Sequence, residues 1–351
     1  MTQRFTEETQ RFTELFLKSN HDSNLSLSVA KTLCVFLIFI SFSCKKEPTN
    51  TKLSGSVFGT SYSVIYDSDV NYEKQFDSLF AIVNKSMSTY IPDSDISKLN
   101  RNEPVTVDSH FLHVFNASNE IYQATEGAFD PTIGAIVNAW DFGPEGKIIA
   151  LDSVKIDSLM EGVGFNKVSV QNNQIIKPEI TFIDFNAIAK GYGVDVIAVF
   201  LESKNIKNYL VEIGGEIRTR GKNKEKQSDW KVGVELPNFD GEQIILNAIS
   251  LHNEAMATSG TYRKFKVDEN GNRYSHIIDA KTGYPSKTNL LSISVLAKDC
   301  MSADAYATAF KAMGLETTKS FLKTHTDLKV FLIYENDAKE FETLSINGFP
   351  E

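Results

Sequence analysis

The chain has few of the residues that would tie it together covalently: three cysteines in 351 residues, Cys34, Cys44 and Cys300. Loss of Cys34 with a leader and modification of Cys44 would leave Cys300 alone. An internal disulfide is then impossible, and Cys300 is expected to be a small buried side chain. Positive charge is also scarce. The formal net charge is −9, and residues 1–43 carry four cations and four anions, so the remainder holds the whole excess. Such a protein is a poor candidate for nucleic-acid binding, and an anionic ligand would need local help from a metal or from lysines. No apolar run reaches the ~20 residues of a spanning helix. GxGxxG, P-loop, HExxH and paired-cysteine metal motifs are all missing. No low-complexity linker or solenoid period interrupts residues 54–351.

What is present begins with an address. Leu33–Phe42 (LCVFLIFISF) is a short apolar run after Lys31, followed by Ser43, Cys44, Lys45 and Lys46. It matches the apolar core of a secretory signal, and a small residue before cysteine resembles the bacterial lipoprotein signal. Residues 1–43 are therefore expected to be a signal region and Cys44 the lipidation site. An uncleaved signal anchor is the alternative, since Ser41 stands where that signal usually has leucine. Residues 1–28 are long and acidic for a leader and repeat TQRFTE, so translation from Leu25, Leu27 or Val29 is a further expectation. The resulting protein would be membrane-anchored, facing the periplasm or cell exterior.

Residues 44–53 read as lipid-bearing cysteine and tether, and 54–351 as one folded unit. Alternation over 54–66 predicts strands. Phe76, Leu79, Phe80, Val83 and Met87 recur at helical spacing, Asp95 can cap a short turn, and Phe111–Tyr122 marks a second helix. Further helices are expected at 152–161, about 190–203 and about 301–313, with one more beyond it. Strands are expected at 180–183, 208–213, 216–221, 230–235, 244–251, 292–297 and 328–334, and a hairpin near Asn172 and Asn173. Strands and helices mix without strict alternation, which predicts an α+β unit.

Five segments could carry chemistry. IDFNAIAKGYGVD (183–195) sets a carboxylate, a lysine and two glycines before a helix start, a layout that suits a phosphate-bearing ligand. In SADAYATAF (302–310), Asp304 and Thr308 share a helical face and offer two hard oxygen ligands of the kind Mg²⁺ takes. YSHIIDAKTGYP (274–285) contains His276, a base, a phosphate contact or a structural histidine. GAFDPTIGAIVNAWDFG (127–143) combines close-approach glycines with Phe129 and Trp140, flat surfaces for a planar ring or simply core. Gly214 and Gly215 before Glu216 read as a bulge or tight turn. Each segment alone also has an ordinary structural explanation.

In order along the chain, VFGTSYSV (57–64), MSTYIPDSDISKLN (87–100), GAFDPTIG (127–134), IDFNAIAKGYGVD, VEIGGEIRTRG (211–221), ATSGTYRKF (257–265), SHIIDAKTG (275–283) and SADAYATA (302–309) closely resemble the ApbE family of FAD:protein FMN transferases. The resemblance implies an α+β fold with a T-fold-like core, mixed or antiparallel sheets and packed helices. It implies Mg²⁺-dependent transfer of FMN from FAD to a threonine or serine hydroxyl of an acceptor protein, with release of AMP. Acceptors in the family include subunits of sodium-pumping NADH:quinone reductase and Rnf complexes and periplasmic flavoproteins. Carried over by motif, the metal ligands are Asp304, Thr308 and the backbone oxygen of Ala187. Flavin and nucleotide contacts fall on Phe58, Tyr90, Ala128, Phe129, Asp130, Asp184, Lys190 and Ile278. His276 is the leading catalytic side chain and Asp184 the alternative base. Ala280 replaces a proline common after SHIID, and Phe58 a common methionine. The rival activities are FAD pyrophosphatase and non-catalytic flavin binding; Tyr90 resembles the transferase type.

Overall fold

The computed structural model describes residues 50–238, 240, 242–262, 265–267 and 273–351. The chain divides into Met1–Glu47 and Pro48–Glu351, so the signal region and Cys44 lie outside the described residues. In chain order the elements are β1 (Thr51–Val57), β2 (Thr60–Tyr66), α1 (Glu73–Met87), α2 (Asp95–Asn100), α3 (Ser109–Ala124), α4 (Gly134–Ala139), α5 (Ser153–Met160), β3 (Ser169–Gln171), β4 (Gln174–Ile176) and α6 (Ala189–Ser203). They continue with β5 (Tyr209–Ile213), β6 (Glu216–Arg220), β7 (Trp230–Leu236), β8 (Ile244–Leu251), β9 (Ala255–Gly260), β10 (Phe265–Val267), β11 (Arg273–Ser275), β12 (Leu290–Ala297), α7 (Cys300–Met313), α8 (Leu315–Leu322), β13 (Lys329–Glu335) and β14 (Phe341–Ile346). Among the described residues, no helix is long and apolar enough to cross a membrane.

The expected α+β class holds. Eight strands form one sheet in the order β1-β2-β5-β6-β9-β12-β13-β14, antiparallel at every pairing. Strand parity divides its two faces. Ala255 and Ala257 of β9 and Ile293 and Val295 of β12 face the helices, whereas Met256 and Leu296 face the β7–β8 hairpin and its Val232, Val234, Ile249 and Leu251. α7 lies on β9 and β12, α6 on β5 and β6, and the two helices pack on each other. The long insertion between β2 and β5 supplies α1 to α6.

Local signals explain the helices. α1 buries Phe76, Phe80, Val83 and Met87 along one stripe. Asp108 accepts from Phe111 N at 2.8 Å and starts α3, and Asp299 accepts from Ser302 N at 2.8 Å and starts α7. α7 ends at Gly314, φ 77°. Its buried Ala303, Ala305, Ala307 and Ala309 leave it no solvent stripe, as befits a helix between sheet and helices.

Several expectations shift. Thr51–Leu53 belong to β1, so the folded body starts inside the expected tether. Ser94, not Asp95, caps α2; Asp95 pairs with Lys85 instead. Residues 180–183 are not a strand. The N–H and carbonyl of Ile183 bond to the side chain of Asn100, each at 2.8 Å, leaving a single parallel bridge, Ile133 to Phe182. Residues 257–260 (ATSG) lie in β9, and β14 was not foreseen.

Candidate active site

Two hairpin turns and the starts of two helices meet at one end of the sheet. The β1–β2 turn is Phe58–Gly59 (φ 51° and 73°) and the β5–β6 turn Gly214–Gly215 (φ 59° and 98°), the left-handed pairs that two-residue hairpins need. The glycine pair is thus the tight turn, not a bulge. A Cβ on Gly214 would come within 2.8 Å of Thr60 Cγ2, so the turns are neighbours. Phe58 takes a conformation bulky residues avoid and lays its ring on α6, where a Cβ on Gly193 would reach it at 2.5 Å.

The first turn of α6 faces α7. A Cβ on Gly191 would stand 2.3 Å from the carbonyl oxygen of Cys300, so only glycine permits this approach. Gly191 N donates to Asp304 Oδ2 at 3.0 Å, and among the described residues Asp304 Oδ1 takes no hydrogen bond. Thr308, one turn along, shares a 3.3 Å contact with Ser259 Oγ. Asp195, lower on α6, accepts from Cys300 N at 3.0 Å and Met301 N at 2.8 Å, locking the start of α7 to α6.

A charge ladder runs between α6 and β6. Glu216, Arg218 and Arg220 alternate onto the helix face of β6 and meet Lys190, Asp195 and Glu202 of α6. The contacts are Lys190–Glu216 at 2.6 Å, Arg218–Asp195 at 2.7 Å, and Arg220–Glu202 at 3.2 Å. Burial lifts the Asp195 carboxyl to about 6 although Arg218 pulls it down. Burial also lifts Glu216 and Asp304, with Lys190 opposing in both cases and Asp304 adding to the rise at Glu216. Burial works against the Lys190 ammonium, but Glu216 and Asp304 outweigh it and hold its pKa above the ordinary value. Glu216 Oε2 is buried without a hydrogen-bond partner among the described residues.

Lys190→Met strands a buried carboxylate and is expected to cost about 1–3 kcal/mol. Lys190→Met/Glu216→Gln should recover most of that loss. Urea melts decide it; an unchanged midpoint for Lys190→Met would remove the pair from the structural account.

A second group adjoins the first through residues 184–190. Asp184 N donates to Pro131 O at 2.8 Å, and Gly134 lies against Phe182 and the Asp184 Cβ. Phe142 stands between Tyr274 and His276, with ring centroids 5.8 and 6.1 Å away, and Trp140 packs on Tyr274 and Tyr284. Trp140 Nε1 donates to Gly283 O at 2.9 Å, fixing the two loops together. Tyr90, 55 % exposed, reaches Phe142 O at 3.4 Å from the rim.

The described candidates therefore fall into two adjoining groups. Lys190, Asp304, Thr308 and Phe58 lie at the helix starts; Tyr90, Asp184, His276 and Ile278 lie around the aromatic loops; Ala187 lies between. Three of the candidate side chains are already engaged within the protein. Phe129 is in the main core. Asp130 is 8 % exposed and accepts from Thr132 N at 2.8 Å and Phe165 N at 3.3 Å, so its carboxylate holds its own loop together. Asp184 accepts from Asn186 N at 2.7 Å and Asn186 Nδ2 at 3.0 Å. Half-buried Ala128 and the local backbone are what that loop can offer a ligand. Glu216 was missed as a site residue, though an acid one position inside a strand, alternating with two arginines, was a readable signal.

Among the described residues no three His, Cys, Asp or Glu side chains converge as a metal cage. Asp304 and Thr308, one turn apart on α7, are a carboxylate and a hydroxyl, hard oxygens of the kind Mg²⁺ accepts while keeping waters. Two buried acids, Glu216 and Asp304, face one lysine, an excess of negative charge that a cation fits.

The ApbE family model matches residues 58–332. The FAD:protein FMN transferase of Haemophilus influenzae is 38 % identical over 324 residues, 87 % of this chain and 92 % of its own. Its Vibrio cholerae counterpart is 36 % identical over 322 residues, 87 % and 94 %. Among solved structures, the flavin transferase ApbE from V. cholerae superposes with a TM-score of 0.76 at 35 % identity, over 85 % of this chain and 97 % of that one. The apo flavinyl transferase ApbE of Pseudomonas stutzeri gives 0.76 at 26 % identity, over 85 % and 95 %. Fold, site and relatives define an enzyme of the transferase class. The chain belongs to the ApbE family.

Proposed function

We propose that this protein transfers FMN from FAD to a threonine or serine hydroxyl of an acceptor protein and releases AMP. One observation carries the reading: a loop pair lined by aromatic rings and a buried cluster of lysine and hard oxygens are joined by one segment, residues 184–190. A single molecule bearing a planar ring and a pyrophosphate matches that layout, and both the relatives' names and the family membership support it.

The acceptor oxygen attacks the FMN phosphorus, the bond to the AMP phosphate breaks, and AMP leaves with the electron pair. His276 takes the hydroxyl proton. Asp184, already accepting two bonds from Asn186, serves better to hold the entry to α6 than as the base. Lys190 balances charge on the departing phosphate, and Glu216 keeps its ammonium aimed there. Asp304, Thr308 and the Ala187 carbonyl would hold Mg²⁺, which supplies charge neutralisation at the pyrophosphate. Tyr90 and Phe142 narrow the mouth against water, favouring protein acceptor over hydrolysis.

The acceptor is of the kind found in sodium-pumping NADH:quinone reductase, Rnf complexes or periplasmic flavoproteins. A lipid on Cys44 would hold the enzyme at the membrane, facing the periplasm or cell exterior.

The test incubates residues 45–351 with FAD, Mg²⁺ and a flavinylation-motif domain, then reads in-gel flavin fluorescence after denaturation. Covalent fluorescence is expected. Free FMN and AMP without labelling would establish the hydrolase instead, and unchanged FAD would leave only flavin binding. His276→Asn should slow labelling about 10²–10⁴-fold while FAD still binds; an unaltered rate would remove His276 as base.

A further inference from the structure

Lys311 is a buried cation the transfer chemistry does not use. It lies in α7 with no exposed surface. Its Nζ donates to Thr288 Oγ1 at 3.1 Å, one bond for a group with three donors. Burial pushes its pKa down to about 8, and no carboxylate among the described residues offsets it. A methionine would fill a similar volume without that cost, so the ammonium weighs against stability.

Its partner explains the position. Thr288 ends the loop that leaves β11 with His276 and Ile278 and returns to β12. That loop closes on itself: Ser286 N donates to Ile277 O at 2.9 Å, Asp279 N to Tyr284 O at 2.9 Å, and Ile278 bridges Pro285. Its return arm is tied to α7 at adjacent residues, by Lys311 to Thr288 and by Ser286 Oγ to Ala312 O at 3.2 Å. Thr288 is also wedged against the helix end, where a Cβ on Gly314 would come within 3.0 Å of its Cγ2. Asp304 and Thr308 lie on the same helix, seven and three residues before Lys311.

We propose that Lys311 is a positioning residue: its bond to Thr288 fixes the His276 loop against the helix bearing Asp304 and Thr308, so that base and phosphate-binding groups stay in register. The inference rests on the flavin-transfer reading. A misplacement of about 1 Å at reacting groups costs about 10²-fold in rate, so a slack loop should show in kcat rather than in FAD affinity.

The experiment uses Lys311→Met, Thr288→Val and Thr288→Ser in residues 45–351, with melting temperature, kcat and KM for FAD, and amide exchange over residues 276–288. Lys311→Met should melt at or above the parent, lose at least tenfold in kcat with KM within twofold, and exchange faster over the loop. Thr288→Val should match that kcat loss, Thr288→Ser should restore it, and Lys311→Met/Thr288→Val should be no slower than either single change. Should Lys311→Met fail to fold, the two threonine variants carry the decision. Parental kcat in Lys311→Met and Thr288→Val, or faster exchange without loss of kcat, would overturn the proposal. If the parent attaches no FMN, the flavin reading fails by itself, and unchanged exchange in the variants would separately refute the clamp.

Discussion

Asp304→Asn should lose FMN attachment and FAD cleavage together, by at least about 10³-fold, roughly 4 kcal/mol of transition-state stabilisation, while the protein melts no lower than the parent. Asparagine keeps the volume and the acceptor for Gly191 N, so the junction of α6 and α7 survives. What disappears is a carboxylate whose ionisation burial opposes and whose charge also burdens Glu216. Stability and activity are expected to part company, as they do where a site holds like charges together for function. Mg²⁺ should raise the parent's melting temperature and leave the variant's unmoved, because only a cation bound to the folded state shifts the equilibrium. A rate within tenfold of the parent, or a Mg²⁺ response preserved in the variant, would end the metal-ligand role of Asp304.

Gly191→Ala should disrupt the site far beyond the size of one methyl. The added methyl would stand 2.3 Å from the Cys300 carbonyl oxygen and 2.7 Å from its carbon, backbone atoms at the capped start of α7 that cannot rotate away. The helices must separate, costing about 3 kcal/mol and shifting Asp304 relative to Ala187 and Lys190. Activity should fall 10²-fold or more, since a displacement of about 1 Å suffices for that. Gly193→Ala is the control: its methyl meets the edge of the Phe58 ring at 2.5 Å, a side chain rather than backbone. Chemical denaturation and FMN-attachment rates should rank Gly191→Ala well below Gly193→Ala; equal effects would mean that α6 and α7 are not held at closest approach.

The amphipathic stripe of α1, the short strands with their turn glycines and the Asp304–Thr308 pair were legible because each signal is local. What the sequence hid is non-local. Residues 180–183 look like a strand, yet the side chain of Asn100 takes the backbone bonds of Ile183. Glu216 looked incidental until β6 was set beside α6, where its strand supplies half of an ionic ladder. Asp130 gave no sign in the sequence that its oxygens also hold its own loop, through Thr132 and Phe165. In each case a partner more than twenty residues away, or a short side-chain turn, decided the outcome.

The β1–β2 hairpin has a directional consequence. Asn50 Nδ2 donates to Asn223 Oδ1 at 3.1 Å, and β1 then runs seven residues before Phe58 turns onto α6. At ~3.4 Å per residue the entry point and the catalytic end stand about 20 Å apart along one edge strand. The edge strand therefore starts at the end of the sheet away from the turn that closes on α6, so a change at Thr51 and a change at Phe58 act at opposite ends of one strand.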